Sequence, residues 1–236
     1  MIPGFRTPPI PTRLHTDAMD DCCAAPDTEG YDEVFDDRFA RKTARRYRRK
    51  GLTPAEQRIV AFLSSTGLDD ATVLEVGGGV GEIQLELLAR GAARTVNLEL
   101  SGAYETEAAR LIDEAGVAGR ITRRLGVDLA ATPERVDVAD IVVLHRVVCC
   151  YPDVEHLLGA AADRARRAIV FSHPPRTRVR RARVAVDNFM HRLSRKSYRG
   201  FVHEPAAMLD TLRRHGFEPR YRHTDRTWCI VGALRE

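Results

Sequence analysis

Val73-Leu74-Glu75-Val76-Gly77-Gly78-Gly79-Val80-Gly81-Glu82 joins an apolar run, an acid and a glycine cluster. The apolar run, with β-branched Val73 and Val76, fits a strand buried on both faces of a parallel sheet. Glycines just past such a strand let the backbone turn sharply and approach a ligand, because no Cβ stands in the way. The stretch therefore reads as a nucleotide-type cofactor site at the carboxyl end of a first strand.

Spacing narrows the ligand. A dinucleotide fingerprint needs G-x-G-x-x-G. Counted from Gly77, its last position falls on Glu82, so that pattern fails. What stands instead is E-x-G-x-G-x-G, from Glu75 to Gly81. The next acid at the end of a plausible second strand is Glu99, in Thr95-Val96-Asn97-Leu98-Glu99-Leu100. A carboxylate there can accept hydrogen bonds from both ribose hydroxyls. Glu82 and Glu86 fall in the early turns of the helix that follows. A pyrophosphate favours a helix N-terminus without nearby acids. These acids suit a ligand that lacks phosphates and carries a cationic centre.

The glycine motif and Glu99 together resemble the class I S-adenosylmethionine (SAM) methyltransferases, over roughly residues 53–236. The resemblance implies that Glu75, Gly77, Gly78, Gly79 and Gly81 hold the amino-acid end of SAM. Glu99, with Leu100 beside it, would serve the ribose. Asp128, one residue later than the family's usual Gly-Asp pair, would meet the adenine amino group. By analogy with the N-terminal helices that close over SAM in related folds, Tyr47 would be a further contact.

The rest of the chain alternates helix and strand. Residues 38–50 read as a basic helix ended by Gly51, and 53–56 form a capping box with Pro54 at the first helical position. Strands are expected at 72–76, 95–100, 120–125, 139–144 and 168–172, with helices at 81–90, 103–115 and 205–215 and one opened by Pro152-Asp153. Val186, Phe189, Met190 and Leu193 fall at i, i+3, i+4 and i+7, which predicts an amphipathic helix over 179–195. Strands at 219–223 and 227–234 are too close for a crossover helix and must form an antiparallel hairpin. The expected fold is α/β, a doubly wound, mostly parallel seven-stranded sheet with an antiparallel terminal hairpin. This is the Rossmann-like architecture that the methyltransferase resemblance implies. Its ligand crevice should lie at the carboxyl ends of the first and fourth strands.

Composition bounds the rest. Residues 1–30 have few large apolar side chains and are expected to form a disordered tail, with Met19 an alternative start. Residues 31–52 would be a basic helix and lid, and 53–236 the methyltransferase domain, with an insertion at 176–203 as a substrate lid. Residues 17–37 hold nine acids and no Lys or Arg, and residues 38–50 hold eight Lys or Arg and no acid. Such blocks are usually solvated or pair with each other. No apolar run approaches the roughly 20 residues of a membrane span, and residues 1–11 lack the apolar core of a signal peptide. Cytoplasmic residence is the expectation. The five cysteines, Cys22, Cys23, Cys149, Cys150 and Cys229, agree with it, and their spacing is neither a secreted disulfide framework nor a zinc site.

After the fourth strand comes His145-Arg146-Val147-Val148-Cys149-Cys150-Tyr151-Pro152, which should lie beside the transferable methyl group. His145 is a candidate general base and SAM contact, and Arg146 can grip a substrate carboxylate in bidentate fashion. This stretch and the arginine-bearing insertion look most like magnesium-protoporphyrin O-methyltransferases. That resemblance implies methyl transfer to a small-molecule carboxylate or hydroxyl. Two other acceptors stay open. The arginine-rich segments allow RNA or DNA, although Ser172-His173-Pro174-Pro175 departs from the amino-methyltransferase motif. The cysteine pairs allow arsenite or a thiol, since thiolates bind soft centres. A non-catalytic SAM-fold protein is the remaining alternative.

Overall fold

Five parallel strands carry the chain across the centre of the molecule: β1 (Thr72–Val76), β2 (Arg94–Glu99), β3 (Ile121–Leu125), β4 (Ala139–Leu144) and β5 (Ala165–His173). The computed structural model describes residues 29–236. Most of the expected tail, the alternative start at Met19 and the Cys22-Cys23 pair therefore lie outside the described residues, while its last two residues, Glu29 and Gly30, already belong to a short helix. The sheet closes with β6 (Phe217–Thr224) and β7 (Cys229–Arg235) in the order β3-β2-β1-β4-β5-β7-β6. β7 runs antiparallel to both β5 and β6, so the expected terminal hairpin is present. β5 begins three residues before the predicted start, because Ala165 already pairs with Ala139 of β4.

Helices cover both faces because alternate strand residues are apolar on each. On one face Leu74, Val142 and Ile169 pack against Leu157 and Leu158 of α6 (Val154–Asp163) and Met208 and Leu212 of α8 (Pro205–Arg214). On the other, Val73, Ile141 and Val170 meet Ile59 and Leu63 of α3 (Pro54–Ser65) and Ile83 and Leu87 of α4 (Glu82–Ala89). A smaller cluster joins Ala40 and Ala44 of α2 (Asp37–Lys50) to Val80, Tyr104 and Leu111, the last on α5 (Glu105–Ala115). It seats α2 over the carboxyl end of the sheet. The short α1 (Glu29–Asp32) precedes it, and α7 (Arg178–Leu193) lies in the segment between β5 and α8. The reversal of strand order falls between β1 and β4, where a doubly wound sheet opens its ligand crevice.

Candidate active site

Past Val76 the chain reverses over the glycines into α4. Gly77, Gly79 and Gly81 all have positive φ, at +62°, +57° and +88°. At Gly77 the constraint is also spatial: a Cβ there would stand 2.7 Å from Val147 Cγ2 in the loop after β4. A Cβ on Gly78 would strike the Asn97 amide and stand 2.7 Å from the Glu75 carboxyl carbon. The turn thus fits its surroundings only as bare backbone.

Three carboxyls surround it. Glu75 is buried in β1, and its Oε2 has no hydrogen-bond partner among the described residues. Burial, and then the neighbouring Glu82, push its pKa well above the carboxylate range. Glu82 in the first turn of α4 is pushed up to about 7, by burial first and then by Glu56. Glu99 closes β2. Its Oε2 accepts from the Gly79 N–H at 2.8 Å, and its Oε1 from those of Leu100 at 2.9 Å and Ser101 at 3.1 Å. Burial raises its pKa against these three donors.

A cavity of about 150 Å³ opens between the turn and the loops after β3 and β4. Of the residues singled out from sequence, Glu75, Gly77, Gly78, Gly79, Glu99, Leu100, Asp128, His145 and Arg146 line it. Gly81 stands just behind, as the N-cap of α4. Asp128 holds the loop after β3: its Oδ1 accepts from the Ala130 N–H at 2.9 Å, and the Tyr151 hydroxyl donates to its Oδ2 at 3.1 Å. Tyr47 does not line the cavity. Its hydroxyl donates to Glu86 Oε1 at 3.1 Å, and its ring packs into the core. The aromatic wall comes instead from Tyr31, Phe35 and Phe39, earlier in the same N-terminal segment.

Arg146 takes φ +64°, a left-handed conformation that costs a non-glycine residue about 1–3 kcal/mol and persists where the surroundings enforce it. Its N–H donates to Ser172 Oγ at 3.0 Å, its guanidinium reaches Glu56 Oε1 at 3.3 Å, and it lies 5.6 Å over the Trp228 ring. The same serine lies 2.8 Å from His145 Nδ1, while His145 Nε2 is 3.8 Å from Glu56 Oε1. Burial, with Arg146 and Arg46 nearby, pushes the His145 pKa down to about 3, so the imidazole is neutral.

Glu56 is the hub that sequence reading missed. It is fully buried, and its Oε2 accepts from the Thr53 N–H at 2.7 Å as the capping box requires. Arg46 of α2 pairs with it at 3.3 Å and continues to Glu82 at 3.0 Å. The capping box marked Glu56 as local, and nothing in the spacing shows that Arg46 and Arg146 also close on it.

Cys149 and Cys150 follow, their sulfurs 3.7 Å apart, and the Cys150 sulfur is 3.1 Å from the Tyr198 hydroxyl. Among the described residues no group of three or more His, Cys, Asp or Glu side chains is placed to hold a metal ion. No described helix is long and apolar enough to cross a membrane.

No protein-family model matches the chain. A curated relative, the release factor glutamine methyltransferase of Cereibacter sphaeroides, is 46% identical over 69 residues, which is 29% of this chain and 25% of the relative. Among solved structures, magnesium protoporphyrin IX methyltransferase from Synechocystis with bound SAM superposes with a TM-score of 0.60 at 21% identity, covering 77% of this chain and 78% of that one. An O-methyltransferase family protein from Burkholderia thailandensis gives 0.61 at 20% identity, covering 84% and 62%. A putative RNA methyltransferase from Pyrococcus horikoshii gives 0.54 at 17% identity, covering 77% and 81%. Strand order, terminal hairpin and these superpositions agree: the chain has the fold of the class I SAM-dependent methyltransferases.

Proposed function

We propose that the protein is a SAM-dependent methyltransferase whose acceptor is a small molecule bearing an oxygen nucleophile, a carboxylate before a hydroxyl. The observation that carries the cofactor assignment is the unpartnered Glu75 Oε2, buried beside a glycine turn that a Cβ would obstruct. A phosphate-free cradle lined by carboxyls suits an ammonium and a sulfonium, because a bound positive charge would favour the ionised form of those carboxyls. Glu75 would hold the ammonium group. Glu99 Oε2 accepts one bond from Gly79 and retains a lone pair for a ribose hydroxyl. When bound, SAM supplies an electrophilic methyl group to a nucleophile aligned behind it.

The chain's own residues supply alignment and dryness. Tyr31, Phe35 and Phe39 wall the cavity on its N-terminal side, and Tyr198 of the 176–203 segment meets the cavity residue Cys150 at 3.1 Å, so the arms 31–52 and 176–203 would serve as lids that exclude water. His145 is a weak base, its conjugate acid lying near 3, so it is poorly suited to deprotonating a hydroxyl. An acceptor that is already ionised needs no base and needs a cation. Arg146, on the cavity wall and oriented by Glu56, Ser172 and Trp228, meets that need. In the basic helix α2, Arg46 and Arg48 are committed to the fold, paired with acids of α3, α4 and α5.

A radiolabelled methyl screen over carboxylates, phenols, thiols and RNA tests the reading. Carboxylates should be labelled, and Arg146→Ala should lower kcat/KM by about 10–100-fold, the value of a lost charge-assisted hydrogen bond. His145→Ala should cost less. Intact turnover in Arg146→Ala with none in His145→Ala would transfer the assignment to a hydroxyl acceptor.

A further inference from the structure

The outward face of α7 is its apolar one. Arg180, Val184, Asn188 and His191 recur every three or four residues, are half-buried and face the body of the protein. Asn188 exchanges two hydrogen bonds of 2.8 Å with Gly200, and His191 Nδ1 lies 3.4 Å from the Tyr198 carbonyl. Val179, Val186, Phe189, Met190 and Leu193 form the opposite stripe and are 50–79% exposed. No residue of this helix is buried. A soluble surface helix places these two faces the other way round.

The charge around the stripe selects what covers it. α7 carries Arg178, Arg180, Arg181, Arg183 and Arg192 against a single acid, Asp187. Arg183 lies 3.8 Å from that aspartate, and the other four have no acid partner among the described residues. A second copy docking α7 on α7 would set two arginine-rich helices side by side. A short helix with an apolar stripe, almost no acid, and exposed Arg178, Arg181, Arg183 and Arg192 matches an anionic lipid surface, where the stripe enters the acyl boundary and these four arginines meet headgroups. We propose that α7 is an interfacial helix that docks the protein on an anionic bilayer. The segment behind it reaches the cavity loop, since the Phe201 N–H donates to the Cys149 carbonyl at 2.7 Å. Docking therefore turns the side of the molecule next to the acceptor loop toward the lipid. It does not depend on the methyl-transfer reading.

The test is co-sedimentation of the full-length protein with vesicles of phosphatidylcholine alone or mixed with phosphatidylglycerol. Binding to the mixed vesicles only, weakening as salt is raised, is expected. Phe189→Asp with Leu193→Asp alters exposed positions and should keep the far-ultraviolet circular dichroism of the parent while lowering the partition coefficient about tenfold or more. No binding to either vesicle, equal binding to both, or equal binding by the variant would overturn the proposal. So would a dimer in light scattering that the same variant dissociates, which would assign the stripe to a second copy.

Discussion

Glu82 sits in the first turn of α4, where a carboxylate normally gains from the helix dipole. Burial and Glu56 outweigh that gain and lift it to about 7, even with Arg46 at 3.0 Å. A carboxyl whose folded pKa lies above its usual 4.5 binds its proton more tightly in the folded state. Its contribution to stability is complete below pH 4.5 and is lost as pH rises through 7. His145 acts with the opposite sign. Its pKa falls from 6.5 to about 3 on folding, so its contribution is present above 6.5 and lost as pH falls toward 3. Comparison with Glu82→Gln isolates the first effect: between about pH 4.5 and 7.5 the Tm of the parent should fall relative to the variant's. A Tm difference that does not change with pH would show that Glu82 titrates like an exposed carboxylate. At this scale the sequence made the glycines and Glu99 legible, because turn and strand-end chemistry is local. It hid Glu56, whose partners are set by tertiary packing. It also pointed to Tyr47 where Tyr31, Phe35 and Phe39 line the cavity, since a helix can be foreseen while the ring that faces inward cannot.

The N-terminal helix shows how a charge block acquires a role. Spacing alone left the basic run at 38–50 as a solvated face or the mate of the acidic block before it. Most of the run is indeed a solvated face, but Arg46 enters between Glu56 and Glu82, and Arg48 pairs with Glu107 at 3.2 Å and Glu114 at 2.8 Å. Arg46→Ala leaves two buried carboxyls short of their counter-charge. It should destabilise the protein by about 1–3 kcal/mol, below the range for a fully buried pair because Arg46 keeps 27% exposure. Arg49→Ala, exposed on the same helix, should change stability by less than about 0.5 kcal/mol. Urea midpoints at constant m-value measure both, and equal effects would show that α2 is held by its apolar contacts alone. α7 carries the complementary lesson. Its periodicity correctly gave a helix and a stripe, but a period does not say what the stripe touches. Strand β5 was underestimated at its start, where exposed Arg166 and Arg167 disguise residues whose backbone already belongs to the sheet.

Across the whole molecule, the strand order sets β1 between β2 and β4, so three separate loops converge on one end of the sheet. The glycine turn, Glu99 and the His145–Tyr151 stretch come from those three carboxyl ends and meet only in the folded chain. A ligand bound there must stabilise the folded state by mass action. At a hundredfold excess over Kd the gain is about 2.7 kcal/mol, which for a chain of this size raises Tm by roughly 5–10 °C. SAM should therefore shift the melting curve of the parent by that amount. Glu99→Ala removes the carboxylate that holds the Gly79 N–H and that, in the proposed reading, would meet the ribose. Gly79→Arg puts a side chain at a backbone position of φ +57° and fills the cradle from the other side. Both variants should melt cooperatively, with the circular dichroism of the parent and no shift on adding SAM. A full shift retained in both would mean that the ligand binds elsewhere, and no shift in the parent would leave this sheet with the methyltransferase topology but without its cofactor.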